Sequence, residues 1–203
     1  MAYDTLTTHH QGGVFTLQLN RPQQANSLDL TALMELKHAF QQAGQNAEVR
    51  AVLLRGNARF FCTGLADAHL SELKDSPLND HQVDVGHVAD VLMAFAQLPK
   101  LTVAVVEGVC RAEGLALAAA ADFLFAAEGA TFSAPEVTEG HIPGLSVPLL
   151  QRKLGEGPAR QLLLTGHCIP ASRALQLGLA YQVAPEAELE GVVNLFLEEL
   201  LAK

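Results

Sequence analysis

Residues 101–127 have the sequence LTVAVVEGVCRAEGLALAAAADFLFAA, and this stretch decides the fold class. Its two apolar runs, Leu101–Val106 and Phe123–Ala127, have the length and residue types of buried strands. Between them, Gly108–Gly114 predicts a turn and Leu115–Ala121 predicts a short Ala-rich helix. Strands that alternate with helices in this way indicate an α/β layered fold with helical crossovers.

The same alternation extends toward the N-terminus. Apolar residues at every second position predict a half-buried strand over residues 15–19. A helix is predicted over residues 27–43, where apolar residues recur at helical spacing and where Ser27 and Asp29 are candidate N-terminal caps. A further apolar strand is predicted over residues 49–54, covered on both faces.

Toward the C-terminus, the polar stretch at residues 64–86 predicts a mobile loop. The elements after it follow the usual signals for helix starts, helix ends and short strands. They are a helix over 88–98, a helix from Pro158 at its first position to Leu164, a helix over 171–177 that ends at Gly178, a strand over 181–183 and a helix over 188–201.

The composition excludes several classes of protein. With 203 residues, 49% apolar and 17% charged, the chain can build a continuous core, unlike a disordered chain. Its net charge of −9 argues against a nucleic-acid partner. Three widely spaced cysteines, none at zinc-ligand spacing with a histidine, favour reduced thiols and predict no metal site. No signal peptide or membrane span is expected, so we predict a cytoplasmic protein.

Three segments are candidates for chemistry. Phe60–Leu65 is a glycine-containing turn that could aim the Leu65 amide at a ligand. Gly108–Leu115 places a turn at a helix N-terminus, where N–H groups are unpaired, although its glycine spacing is not that of a dinucleotide site. Glu136 follows Pro135 in an apolar stretch and is a candidate base with a raised pKa. Each segment alone is explained at least as well by an ordinary turn or a solvated glutamate.

Together and in this order, these segments resemble the enoyl-CoA hydratase/isomerase (crotonase) superfamily over nearly the whole chain. The matching stretches are Gly13–Pro22 with Asn26–Leu28, Ala51–Gly56 with Phe61–Gly64, Arg111–Leu115 continued to Asp122, Pro135–Glu136, Gly140–Gly144, Leu164–Gly166 and Ala174–Leu179. The resemblance implies a crotonase-like ββα spiral of the ClpP/crotonase type, assembled as a homotrimer or a dimer of trimers. It also implies a single domain over 1–203, with the spiral core ending near residue 185 and residues 186–203 beginning a C-terminal helical region.

The resemblance also implies a site for an acyl thioester. The thioester carbonyl would lie between the backbone N–H groups of Leu65 and Glu113, which form an oxyanion hole. The implied substrate-binding residues are Thr63, Gly64 and Ala66, with Phe132 and Ile142 as walls of the acyl pocket. The substrate would be an acyl-CoA or an acyl-carrier-protein thioester. No separate cofactor is implied, because coenzyme A or phosphopantetheine is part of the substrate.

The chain departs from the family pattern at the catalytic carboxylates. Hydratases of this family carry two catalytic glutamates; one corresponds to Glu136 and the other to Ala116, which cannot transfer a proton. A single glutamate resembles the isomerases, in which one base moves a proton between carbons. Glu113 stands where the family has glycine, three residues before Ala116 and on nearly the same helical face. It is a candidate second catalytic carboxylate, unless it points away or merely fills the pocket.

Three functions therefore stay open. The first is an enoyl-thioester isomerase or hydratase with Glu136 as proton carrier. The second is a carrier-protein-dependent dehydratase or decarboxylase in polyketide β-branching. The third is a non-catalytic acyl-thioester-binding subunit, which Ala116 favours. A nucleophilic role for Cys62 is disfavoured because no histidine or aspartate partner is evident, and a buried inert thiol is predicted instead.

Overall fold

The computed structural model describes residues 3–66 and 78–202, and for residues 78–85 it describes the backbone alone. The strands are β1 (Leu6–Gln11), β2 (Val14–Leu19), β3 (Ala51–Arg55), β4 (Phe60–Cys62), β5 (Leu101–Val106), β6 (Val109–Arg111), β7 (Phe123–Ala127), β8 (Thr131–Ser133), β9 (Ile169–Pro170) and β10 (Gln182–Ala184). The α-helices are α1 (Leu30–Gln45), α2 (Leu78–Ala96), α3 (Glu113–Ala120), α4 (Ser146–Leu154), α5 (Glu156–Thr165), α6 (Ala171–Gln176) and α7 (Glu186–Leu201). Short 3-10 helices cover Pro22–Gln24 and Pro135–Glu139.

The strands form a large and a small sheet. The large sheet has the order β1-β2-β3-β5-β7-β10 and is parallel except for the antiparallel β1–β2 pair. The small sheet has the order β4-β6-β8-β9, and only its β8–β9 pair is antiparallel. The pairs β3–β4, β5–β6 and β7–β8 each place one strand in each sheet, and α2 and α3 follow the first two pairs. The chain is therefore built of stacked ββα turns.

The large sheet is covered on both faces, because successive side chains of a strand point to opposite sides. Leu54 and Ala104 belong to the main core, which also contains the buried faces of α1, α2 and α3. Leu53 and Val103 belong to a second core on the opposite face, where α7 packs with Val193 and its neighbours. For β3, the strand predicted over residues 49–54, covering on both faces is confirmed. The division of the domain near residue 185 stays a prediction.

Helix α1 shows how a local signal sets an element's start. The Asp29 side chain accepts a hydrogen bond from the Ala32 N–H at 2.9 Å, which satisfies one of the donors left free at a helix N-terminus. The Arg21 guanidinium forms an ion pair with Asp29 at 2.6 Å. Asp29 is thus the cap, whereas Ser27, the other predicted cap, lies before the helix and is buried.

Several predicted elements are wrong at specific places. Part of the predicted loop, residues 67–77, lies outside the described residues, but residues 78–86 are the first part of α2 and not a loop. Residues 109–111 of the predicted turn form β6, a strand too short to show a period. Strand β1 was not predicted, because only one of its six side chains is buried. Pro158 is the third residue of α5 and not the first.

Candidate active site

The first half of the candidate site is the segment that follows β4. Leu28 pairs with the peptide groups on both sides of Leu65: its N–H donates to the Gly64 carbonyl at 2.8 Å, and its carbonyl accepts from the Ala66 N–H at 3.0 Å. In such a parallel bridge the N–H of the central residue points away from the partner. The Leu65 N–H is therefore free to face the rest of the site.

The Asn26 side chain fixes the end of β4, from which the Leu65 segment continues. Its side chain is buried, with its amide nitrogen donating to the carbonyls of Phe60 and Phe61 at 2.9 and 3.2 Å. Its side-chain oxygen accepts from the Arg21 N–H at 2.9 Å. Because one buried side chain satisfies three backbone groups, the strand end and the preceding turn are fixed relative to each other. The sequence marked Asn26 through the family motif but gave no role for its side chain.

The second half of the site is the N-terminus of α3. Gly114 brings this helix against β4: a methyl group built on its Cα would lie 2.3 Å from the Cys62 carbonyl oxygen, so only glycine fits. The preceding Ala112 has φ 51° and ψ −129°, a conformation that normally requires glycine. As the first residue of the helix, Glu113 has no acceptor for its N–H within it. The tight approach therefore presents the Glu113 N–H beside the Leu65 segment.

The Glu113 side chain joins the two halves. Its Oε2 atom accepts a hydrogen bond from the Leu65 N–H at 3.0 Å. A methyl group built on Gly64 would lie 2.6 Å from that oxygen and 3.3 Å from the Glu113 nitrogen, so both atoms lie near one point. The two predicted amides are thus brought together, and a carboxylate oxygen lies between the segments that carry them.

Glu136 is the buried carboxyl group of the site. It lies in the 3-10 helix Pro135–Glu139, where only 8% of its surface is exposed. Its Oε2 atom is buried and has no hydrogen-bond partner among the described residues. Burial raises the pKa of Glu136, a hydrogen bond from its own backbone N–H opposes that rise, and the nearby Glu113 charge adds to it. A carboxyl group with a raised pKa holds its proton more strongly than an exposed glutamate does, which suits a group that accepts and returns a proton.

An ion pair ties the Glu136 turn to the small sheet. The Arg111 guanidinium contacts the Glu139 carboxylate at 2.8 Å, and the charges of both residues act on the Glu136 pKa in opposite directions. Sequence reasoning missed this pair, because 28 residues separate its members and no local pattern links them.

The other predicted site residues differ in their surroundings. Thr63 is half-buried, and its hydroxyl donates to the Ala25 carbonyl at 3.2 Å. Phe132 is fully buried within the main core. Ile142 is 90% exposed, so its side chain is not packed as a wall within this chain. Ala116 is fully buried in the core and supplies no polar group. The binding roles of Thr63, Gly64, Ala66, Phe132 and Ile142 stay predictions.

Cys62, at the end of β4, is not a reactive thiolate. Its thiol is fully buried, and burial raises its pKa to about 12. The thiol is therefore protonated near neutral pH and is a poor nucleophile, as the sequence predicted.

Comparison with known proteins now decides the family. The model of the family described as enoyl-CoA hydratase/isomerase matches residues 9–203. The chain belongs to the enoyl-CoA hydratase/isomerase family. It is an enzyme of the crotonase superfamily, as the ordered motifs predicted.

Relatives with assigned names align with most of this chain. A probable enoyl-CoA hydratase of Rhizobium meliloti is 35% identical over 195 residues, which are 94% of this chain and 73% of that protein. The 2,3-dehydroadipyl-CoA hydratase of Escherichia coli is 34% identical over 183 residues, which are 89% of this chain and 69% of that protein. The solved enoyl-CoA hydratase of Bacillus anthracis superposes with a TM-score of 0.91 at 30% identity, over 98% of this chain and 78% of that one. The crotonase-like fold is confirmed.

Within the described residues of this family member, His, Cys, Asp and Glu side chains form no group of three or more able to hold a metal ion. Nor does any described helix combine the length and the apolar character needed to cross a membrane.

Proposed function

We propose that this family member forms the enolate of an acyl thioester, with the backbone N–H groups of Leu65 and Glu113 as the oxyanion hole and Glu136 as the proton carrier. The observation that carries the proposal is the Glu136 carboxyl group, which is buried, has an oxygen unpartnered among the described residues, and has a pKa raised by burial and by the charge of Glu113. A carboxyl group whose pKa is moved toward the working pH is suited to both steps of a proton transfer.

The two amides would stabilise the negative charge that develops on the thioester oxygen. Donors that are already oriented contribute about 2.7–4 kcal/mol each to such a transition state. Their orientation here comes from the Leu28 bridge on one side and from the close approach of Gly114 on the other. Since the donors belong to the backbone, a change of the Leu65 side chain leaves the hole intact.

Isomerisation is the reaction that a single proton carrier supports, because Ala116 occupies the position of the second glutamate. Hydration is the second candidate, and the observation that favours it is the Glu113 carboxylate, whose charge acts on Glu136. Two carboxylates at one site can activate a water molecule and protonate the adjacent carbon. Under this proposal, coenzyme A or phosphopantetheine enters as part of the substrate and no other cofactor is needed.

The activity is tested with a panel of 2-enoyl-CoA, 3-enoyl-CoA and 3-hydroxyacyl-CoA thioesters. We expect Glu136→Gln to reduce turnover of the accepted thioester by roughly 10²–10⁴-fold, because it removes the proton carrier. Glu113→Ala should abolish hydration and retain part of any isomerisation. Wild-type turnover in Glu136→Gln would exclude the proposed role.

The same panel on carrier-protein thioesters tests the alternative carrier, including the dehydratase or decarboxylase reaction of polyketide β-branching. Binding of thioesters without turnover of any of them would favour the non-catalytic binding subunit. The cytoplasmic location and the homotrimer or dimer of trimers stay predictions, and light scattering of the purified protein tests the assembly.

A further inference from the structure

One of the two N–H groups that the proposed function assigns to the oxyanion hole already has an acceptor within the chain. Glu113 Oε2 accepts the Leu65 N–H at 3.0 Å. The methyl position on Gly64 that lies 2.6 Å from this oxygen also lies 3.3 Å from the Glu113 nitrogen. The carboxylate therefore takes the Leu65 donor that a thioester carbonyl would need, close to the Gly64 position that the Glu113 nitrogen also approaches.

We propose that the Glu113 carboxylate fills the oxyanion hole of the free protein and that the thioester carbonyl must displace it, so that Glu113 determines which ligands enter. This inference rests on the proposed function, because it assumes that Leu65 and Glu113 supply the hole. A ligand with no acceptor oxygen at this point does not compete with the carboxylate. A thioester does compete, and it loses part of its affinity by doing so.

The carboxylate is a strong competitor for physical reasons. A hydrogen bond to a charged acceptor is about twice as strong as one to a neutral carbonyl. The carboxylate also lies at the N-terminus of α3, where the helix dipole favours negative charge. It is tethered to the site, so its local concentration does not fall on dilution. A neutral thioester gains an advantage only as charge develops on its oxygen, which favours ligands that reach the enolate.

In the free protein the Glu113 charge already acts on Glu136, so displacing the carboxylate changes the electrostatic surroundings of the proton carrier. Displacement thus frees the Leu65 N–H and the Glu113 carboxylate in one movement. Substrate binding itself would then bring the second carboxylate into use.

The test measures binding by calorimetry, with three probes. They are a saturated acyl-CoA thioester, the matching S-alkyl-CoA thioether, which lacks the carbonyl oxygen, and free CoA. We expect Glu113→Ala to bind the thioester about tenfold more tightly than wild type, the size of one charge-assisted hydrogen bond. Affinity for the thioether and for CoA should change little. Glu113→Gln keeps the shape of the side chain and loses its charge. Its affinity for the thioester should lie between those of wild type and Glu113→Ala.

Glu139→Gln is the matched control, because it removes another charge that acts on Glu136 without touching the Leu65 N–H. It should leave the ratio of thioester to thioether affinity at the wild-type value. In the ligand-free protein, the amide resonance of Leu65 should shift in Glu113→Ala and not in Glu139→Gln.

The outcomes separate this inference from the proposed function. An unchanged affinity ratio in both Glu113 variants, with thioester still bound, overturns the displacement and leaves the proposed function standing. Failure of wild type and both variants to bind any thioester overturns the proposed function, and the displacement with it. An unmoved Leu65 resonance in Glu113→Ala contradicts the contact on which the inference depends.

Discussion

Glu136 is a residue whose ionised form lowers the stability of the folded protein. Its carboxyl group is buried with one oxygen unpartnered, and its pKa is raised mainly by burial. A raised folded-state pKa means that protonated Glu136 is tolerated while ionised Glu136 destabilises the fold. The stability associated with this group is present below its unfolded-state pKa and is lost as the pH rises through its folded-state pKa.

Glu136→Gln should therefore stabilise the protein at pH 8 and have little effect at pH 4, where the carboxyl group is already neutral. We expect the melting temperature at pH 8 to rise by roughly 2–4 °C, the shift that about 1 kcal/mol produces in a chain of this size. Calorimetry at both pH values is the measurement. Glu48→Gln, at an exposed position, is the control and should show no such dependence. An equal effect at both pH values would mean that folding does not raise the pKa of Glu136.

At the level of single residues, the sequence predicted the identities of the site groups better than their contacts. Glu136, Leu65 and Glu113 were predicted from motif order. The structure shows a Leu65–Glu113 hydrogen bond and a charge of Glu113 that acts on Glu136, and the catalytic roles of all three stay predictions. The Leu65–Glu113 hydrogen bond was not predicted, because a side-chain rotamer is not encoded in the spacing of a motif. The conformation of Ala112 was also missed, since alanine gives no sign of a positive φ.

Elements were predicted well where they are apolar and long enough to show a period. Strands β5 and β7 begin and end at the predicted residues, Leu101–Val106 and Phe123–Ala127. The strands of the small sheet have two or three residues each, too few for periodicity to identify them. They matter because β4 and β6 lead directly into the two segments that carry the site.

The contact between β4 and α3 is where element packing controls the site. Gly114→Ala places a methyl group 2.3 Å from the Cys62 carbonyl oxygen, which is backbone and cannot rotate away. We expect a loss of about 1–3 kcal/mol in the free energy of unfolding, because the steric clash outweighs the helix propensity of alanine. Urea denaturation measures it, and turnover should fall as the two amides separate.

Gly191→Ala is the matched control for this prediction. Gly191 lies inside α7, and a methyl group on it would meet nothing within 4 Å. Alanine there should stabilise the protein by about 0.5–1 kcal/mol through helix propensity alone. A Gly114→Ala variant as stable as this control would show that α3 and β4 are not in tight contact.

The whole molecule combines a common fold with an altered site. The two sheets and the stacked ββα turns are those of the crotonase superfamily, with a TM-score of 0.91 to the Bacillus anthracis enzyme. Helix α7 seals the outer face of the large sheet, where Phe196 packs against Phe125 with ring centroids 4.9 Å apart. Within this frame, Ala116 and Glu113 are the departures from the family pattern on which our proposal for the reaction depends.

The central claim is that Glu136 takes a proton from the α-carbon of a bound thioester. The direct measurement is the rate at which deuterium leaves the α-carbon of an α-deuterated 3-enoyl thioester, followed by NMR so that both transfer along the chain and loss to solvent are counted. We predict that wild type removes the α-deuteron and that Glu136→Gln does so roughly 10²–10⁴-fold more slowly. Wild type that leaves the α-deuterons in place, or Glu136→Gln that removes them at the wild-type rate, would contradict the claim.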